Sequence, residues 1–143
     1  HRFSVLETST GGQIAQTFTS LTGASEHFLD GRIIYDQEAQ KQFLAVKEFE
    51  DSSVSQTRAQ NLASAMQRQS GSDWALAETG MAGPPSKERL SSKNGKCYLG
   101  LAISTEVRYK FLEFNPFLTR KEHQLMFAIE ALAWVEKELQ IKC

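Results

Sequence analysis

Cysteine is scarce in this sequence. Cys97 and Cys143 are the only two, and they show no metal-ligand spacing. A disulfide scaffold and a zinc module are therefore not expected, and no metal or other cofactor is called for. A surplus of positive charge is missing too: 16 basic residues stand against 17 acidic ones, for a net charge of −1. Without a basic field, neither nucleic acid nor an anionic membrane surface is an expected partner. No apolar run approaches the roughly 18–20 residues of a spanning helix. The first residues lack a secretory-signal pattern, so a cytoplasmic location is the expectation. No internal repeat or linker is visible.

What the sequence does contain is the composition of an ordinary globular protein, 41% hydrophobic and 23% charged over 143 residues. That length suits one domain, taken as 1–143. Phe3, Val5 and Leu6 read as a strand that runs into the Thr10-Gly11-Gly12 turn. Ile14, Phe18 and Leu21 then recur at helical spacing, with Gly23 placed as a C-cap. Phe28 to Tyr35 reads as a second strand, and Asp36 caps a short helix over 37–44. Ser53 and Gln56 form a capping-box pattern ahead of a helix carrying Ala59, Leu62, Ala63 and Met66 on one side and ending at Gly71. Trp74–Leu76, Cys97–Ser104 and Val107–Phe114 read as three more strands, and a helix over 119–140 closes the chain. Strand and helix alternate, which predicts a three-layer α/β/α sandwich.

The last helix is apolar on two sides. Leu125, Ala128, Ile129, Leu132, Val135 and Leu139 form one stripe, expected to face the sheet, while Phe127, Trp134 and Ile141 recur on nearly the opposite side. The second set is expected to meet a neighbouring helix or a second subunit.

The chemistry-bearing segments are two glycine turns, each directly after a strand. Glu7-Thr8-Ser9-Thr10-Gly11-Gly12 offers hydroxyls and amides at a strand-to-helix junction, where an anion or oxyanion is favoured; the alternative is Thr10 acting as an ordinary helix cap. Thr79-Gly80-Met81-Ala82-Gly83-Pro84 is the second turn. In α/β sheets such turns converge at the carboxyl ends of the strands. The stretch from Thr79 to Lys96 is a long loop, with cations at Lys87, Arg89, Lys93 and Lys96 that could draw a phosphate or simply be solvated. His27, His123 and Cys97 read as surface or internally satisfied groups.

With these turns stand Tyr35-Asp36-Gln37-Glu38-Ala39-Gln40, Ser53-Val54-Ser55 and Asn94-Gly95-Lys96-Cys97-Tyr98. The five segments, in this order and spacing, resemble the CinA C-terminal family, to which nicotinamide mononucleotide deamidases belong. The resemblance implies an amidohydrolase that converts the carboxamide of nicotinamide mononucleotide to a carboxylate and ammonia, and it implies a homodimer. It also implies a helix before the first strand, which this sequence lacks as given. The family pattern runs Glu-Ser-Cys-Thr-Gly-Gly, with the Ser as nucleophile, and its Tyr-containing segment closes on a Lys base. The matching positions here are Thr8 and Gln40, with Tyr35 retained and Ser9 beside the nucleophile position. Thr10, Gly11, Gly12, Thr79, Gly80, Ala82 and Gly83 match the binding turns, and Arg120 is a displaced candidate for the substrate arginine.

An amide such as Gln40 has no basic lone pair, and loss of a general base costs about 10²–10⁴ in rate. Lys41 is turned about 100° away on a helix, and Ser9 faces opposite to Thr8 if the strand continues. Three readings follow: a working amidase, a nucleotide-binding member with impaired catalysis, or an interaction module on the same fold.

Overall fold

The computed structural model describes residues 1–84 and 92–140. Five strands form one mixed sheet in the order β2-β1-β3-β4-β5. The strands are β1 (Phe3–Glu7), β2 (Phe28–Ile33), β3 (Trp74–Gly80), β4 (Lys96–Ile103) and β5 (Glu106–Glu113). β1 runs parallel to β2 and to β3, whereas β4 and β5 are antiparallel additions. The helices are α1 (Gln13–Thr19), α2 (Gln37–Leu44), α3 (Gln56–Ser70) and α4 (Arg120–Leu139).

Period-two alternation assigns the two faces of the sheet. Phe3, Val5, Trp74, Leu76, Leu99, Leu101 and Leu112 meet Ile14 and Phe18 of α1 and the buried side of α4. Leu6, Ala75, Ala77 and Ala102 meet Leu62, Ala63 and Met66 of α3, with Phe43 and Leu44 of α2 alongside. The expected α/β/α layering is thus formed, and the family of small residues beneath α3 explains how closely that helix lies. A Cβ at Gly100 would stand 2.3 Å from the Ala59 carbonyl oxygen. No helix of the described residues is long and apolar enough to cross a membrane.

Three local readings change. The cap of α3 is Ser55, whose hydroxyl accepts the Arg58 amide, so Ser53 and Gln56 form no capping box. The α1 cap is Gly12, in the left-handed region at φ 103° and without a side-chain cap; Thr10 does not fill that place, and Gly23 opens a 3-10 turn, Ala24–Glu26, rather than closing α1. Asp36 does cap α2, and Thr119 with Glu122 builds a full capping box on α4.

The larger change is the rotation of α4. Its buried residues are His123, Phe127, Ala128, Ala131, Trp134 and Val135. Leu125 and Ile129 are about half exposed, while Leu132 and Leu139 only flank the core. Phe127 and Trp134 are covered within their own chain, in the core cluster that also holds Ile14 and Phe18 of the neighbouring helix α1. Ring bulk decides between two apolar faces: Phe127 lies near-parallel to His123 at 5.8 Å and 5.9 Å from Phe114, filling the space over β3 and β4. Ile141 lies outside the described residues.

Candidate functional site

The carboxyl ends of β1 and β3 each deliver a glutamate into the interior between the sheet and α1 with α4. Glu7 and Glu78 are both fully buried. Glu7 Oε1 accepts the Gly12 and Ile14 amides at 3.2 and 2.9 Å, and Oε2 accepts Ala15 at 2.9 Å. The protein's own carboxylate thus occupies the start of α1, where the turn alone suggests an external anion. Glu78 Oε1 accepts the Thr8 and Thr10 amides, each at 3.0 Å, and the Ser9 hydroxyl donates to Oε2. The Thr10 hydroxyl sits between the two acids, 2.6 Å from Glu7 and 2.8 Å from Glu78. It carries one proton for two acceptors, so it satisfies only one of them when both are ionised.

Burial raises the Glu78 carboxyl above its usual range, against the opposing pull of Ser9, Thr10 and Thr8. Because the folded value exceeds the unfolded one, stability is full below the unfolded carboxyl value of about 4.5 and declines as pH rises through the folded value. Glu78→Gln keeps the shape and removes that titration. Urea midpoints measured from acid to alkaline pH should fall more steeply for the native protein than for the variant. Parallel profiles would contradict the assignment.

Beside this network lies an open cleft of about 1170 Å³. Thr8, Ser9, Tyr35, Gln40, Thr79, Gly80, Ala82, Gly83 and Arg120 all line it, so these sequence-derived candidates are brought together. Thr10, Gly11 and Gly12 are not among its lining residues; Thr10 turns to the two acids. Thr79 donates its hydroxyl to the Ser53 carbonyl. Gly80 is required by packing, since a Cβ there would meet Phe127, Cys97 and the Ser9 hydroxyl at 2.9–3.0 Å. The Ala82 carbonyl is 2.6 Å from His123 Nδ1, while Nε2 lies 2.8 Å from the Asn115 carbonyl, which ties the second turn to the loop before α4. His27 is at the surface, and burial pushes the Cys97 thiol well up, consistent with an unreactive group.

At the other side of the cleft Arg120, the first residue of α4, donates to the Gly83 carbonyl at 2.8 Å and to the Tyr35 hydroxyl at 3.0 Å. Tyr35 itself is 61% exposed, so its ring is presented to the cleft. Gln40 is only 1% exposed. Its Nε2 donates to the Ile34 and Tyr35 carbonyls at 3.3 and 3.2 Å, and its Oε1 accepts Arg58 Nη1 at 2.7 Å. Arg58 is equally buried, forks onto Asp51, and stacks 3.2 Å above the Phe49 ring. Lys41 is held by Glu38 at 3.0 Å and Glu48 at 3.5 Å, and those carboxylates raise its pKa. Its ammonium makes no bond to Thr8 or Ser9.

Glu78 and Arg58 are the functional-looking residues that the sequence reading missed. Both had a signal: Glu78 shares the alternation of Trp74 and Leu76 in a core strand, and Arg58 falls on the same helical side as Leu62 and Met66. A charge at an apolar-face position marks a buried, paired group. Of the loop cations, Lys96 pairs with Glu113 at 3.4 Å; Lys87 and Arg89 lie outside the described residues.

Residues 1–139 match the model of the CinA C-terminal domain. This chain belongs to the CinA C-terminal domain family. A CinA-like protein of Geotalea daltonii is 34% identical over 139 residues, which cover 95% of this chain and 33% of that protein. A putative competence-damage inducible protein of Clostridium perfringens is 31% identical over 96% of the chain and 33% of its own length. The chain thus spans about a third of these curated relatives. Among solved structures, the competence damage-inducible protein A of Klebsiella pneumoniae superposes with a TM-score of 0.87 at 22% identity, covering 97% of this chain and 86% of that one. The competence/damage inducible protein CihA of Agrobacterium tumefaciens gives 0.83 at 26% identity, covering 95% and 84%. In this CinA domain the cleft lies at the ends of β1, β2 and β3, where Thr8 and Ser9 face the turn from Thr79 to Pro84.

Proposed function

We propose that this CinA domain binds a pyridine mononucleotide of the nicotinamide mononucleotide type and that the amine-assisted deamidation route is closed in it. The observation that carries the reading is the state of Gln40. It stands where the family pattern has its lysine, it is buried, and Arg58 holds its carbonyl oxygen at 2.7 Å. A guanidinium stays protonated at any working pH, so the nearby cation cannot take a proton from a hydroxyl. Lys41, already paired with two carboxylates, is no substitute. Closing this route costs about 10²–10⁴ in rate.

Support for nucleotide binding comes from Arg120 and Tyr35. Arg120 sits at the amino end of a 20-residue helix, where a phosphate is favoured by both the guanidinium and the helix dipole. The exposed Tyr35 ring offers a face to a pyridinium cation. Calorimetric titration with nicotinamide mononucleotide tests this. Saturable binding at one site is expected, weakened about tenfold or more in Arg120→Ala, as loss of a charge-assisted hydrogen bond requires. No heat with the native protein would overturn the reading and leave an interaction module.

A further inference from the structure

We infer that Ser9 and Glu78 form a hydroxyl–carboxylate pair that gives this cleft its own nucleophile and general base for carboxamide hydrolysis. The inference rests on the nucleotide reading above and adds the proton acceptor that Gln40 cannot be. The Ser9 hydroxyl donates directly to Glu78 Oε2, and Ser9 lines the cleft. A nucleophile bonded to a base that is itself oriented by further groups is the arrangement such chemistry needs.

Glu78 is oriented through its other oxygen. Oε1 takes the Thr8 amide, the Thr10 amide and stands 2.8 Å from the Thr10 hydroxyl. Among the described residues Oε2 is left to Ser9, with the Cys97 thiol at 3.8 Å. One oxygen is thus anchored and the other is the proton acceptor. Gly80 lines the cleft beside Ser9, and a Cβ there would stand 3.0 Å from the Ser9 oxygen and crowd it against Phe127 and Cys97. Thr8, by contrast, meets Glu78 through its backbone amide, which donates to Oε1.

The step balances as follows. Ser9 Oγ bonds to the carboxamide carbon while its proton passes to Glu78 Oε2. The carbon–nitrogen bond breaks as that proton moves to nitrogen, and ammonia leaves with an ester on Ser9. Water then attacks the ester carbon, giving a proton to Glu78, and the Ser9 oxygen leaves and recovers it. The net change is amide plus water to carboxylic acid plus ammonia.

Ammonia release from nicotinamide mononucleotide, calorimetry and intermediate mapping on the same preparations form the test. Slow native turnover is expected to fall about 10²-fold or more in Ser9→Ala and in Glu78→Gln, with calorimetric binding still measurable. The acyl adduct trapped by acid quench should map by fragment ions to Ser9. Should Ser9→Ala fold poorly by thermal melting, Ser9→Cys serves: its thiol should be alkylated by iodoacetamide beyond the native background and shielded by the nucleotide. An adduct on Thr8, turnover that survives either variant, or a Ser9→Cys thiol that resists alkylation overturns the pair. Native binding without turnover also overturns it while leaving the nucleotide reading intact; absence of native binding removes both.

Discussion

Phe127→Ala is expected to destabilise the domain by about 3–5 kcal/mol, because a fully buried ring leaves a cavity that its neighbours fill only in part. The companion Ile129→Ser should cost less than about 1 kcal/mol, since that side chain is already 47% exposed. Urea unfolding of the two variants is a direct assay of which side of α4 meets the sheet. The stripe through Leu125 and Ile129 predicts the reverse order of costs, so equal or inverted losses would restore that orientation.

Arg58→Met should cost about 3 kcal/mol. The change leaves Asp51, whose side chain is 16% exposed, without its forked partner, and breaking such a pair is far more costly than never having built it. It also frees Gln37 and Gln40, whose carbonyl oxygens accept Arg58 Nη1 at 2.9 and 2.7 Å. The expected readout is a lower urea midpoint that the added change Asp51→Asn largely recovers, because the stranded charge is then gone. Failure of that recovery would mean that stacking on Phe49 carries most of the effect.

These residues show what was legible in the sequence. Layer order and the Asp36 cap follow from local rules that depend on only a few neighbouring residues. The convergence of Thr8, Tyr35, Gln40, Thr79 and Arg120 on one cleft was likewise readable, because turns after parallel strands open at the same sheet edge. The face of α4 was not, since helical period marks two apolar sides equally and only ring volume against β3 and β4 chooses between them. The anion-binding reading of the first turn failed for a different reason. Glu7 and Glu78 satisfy five of its amides between them, and Glu78 comes from a strand some 70 residues away in sequence. No local pattern around Thr10 announces a partner so distant.

Ammonia release from nicotinamide mononucleotide, compared between the native chain and a Thr8→Ser/Gln40→Lys double variant, tests the missing amine most directly. Arg58, close to the new side chain, supplies the like charge that keeps an introduced amine neutral and basic enough to act. The account predicts that the double variant outpaces the native protein by about 10²-fold or more. A native rate equal to or above that of the double variant would contradict it.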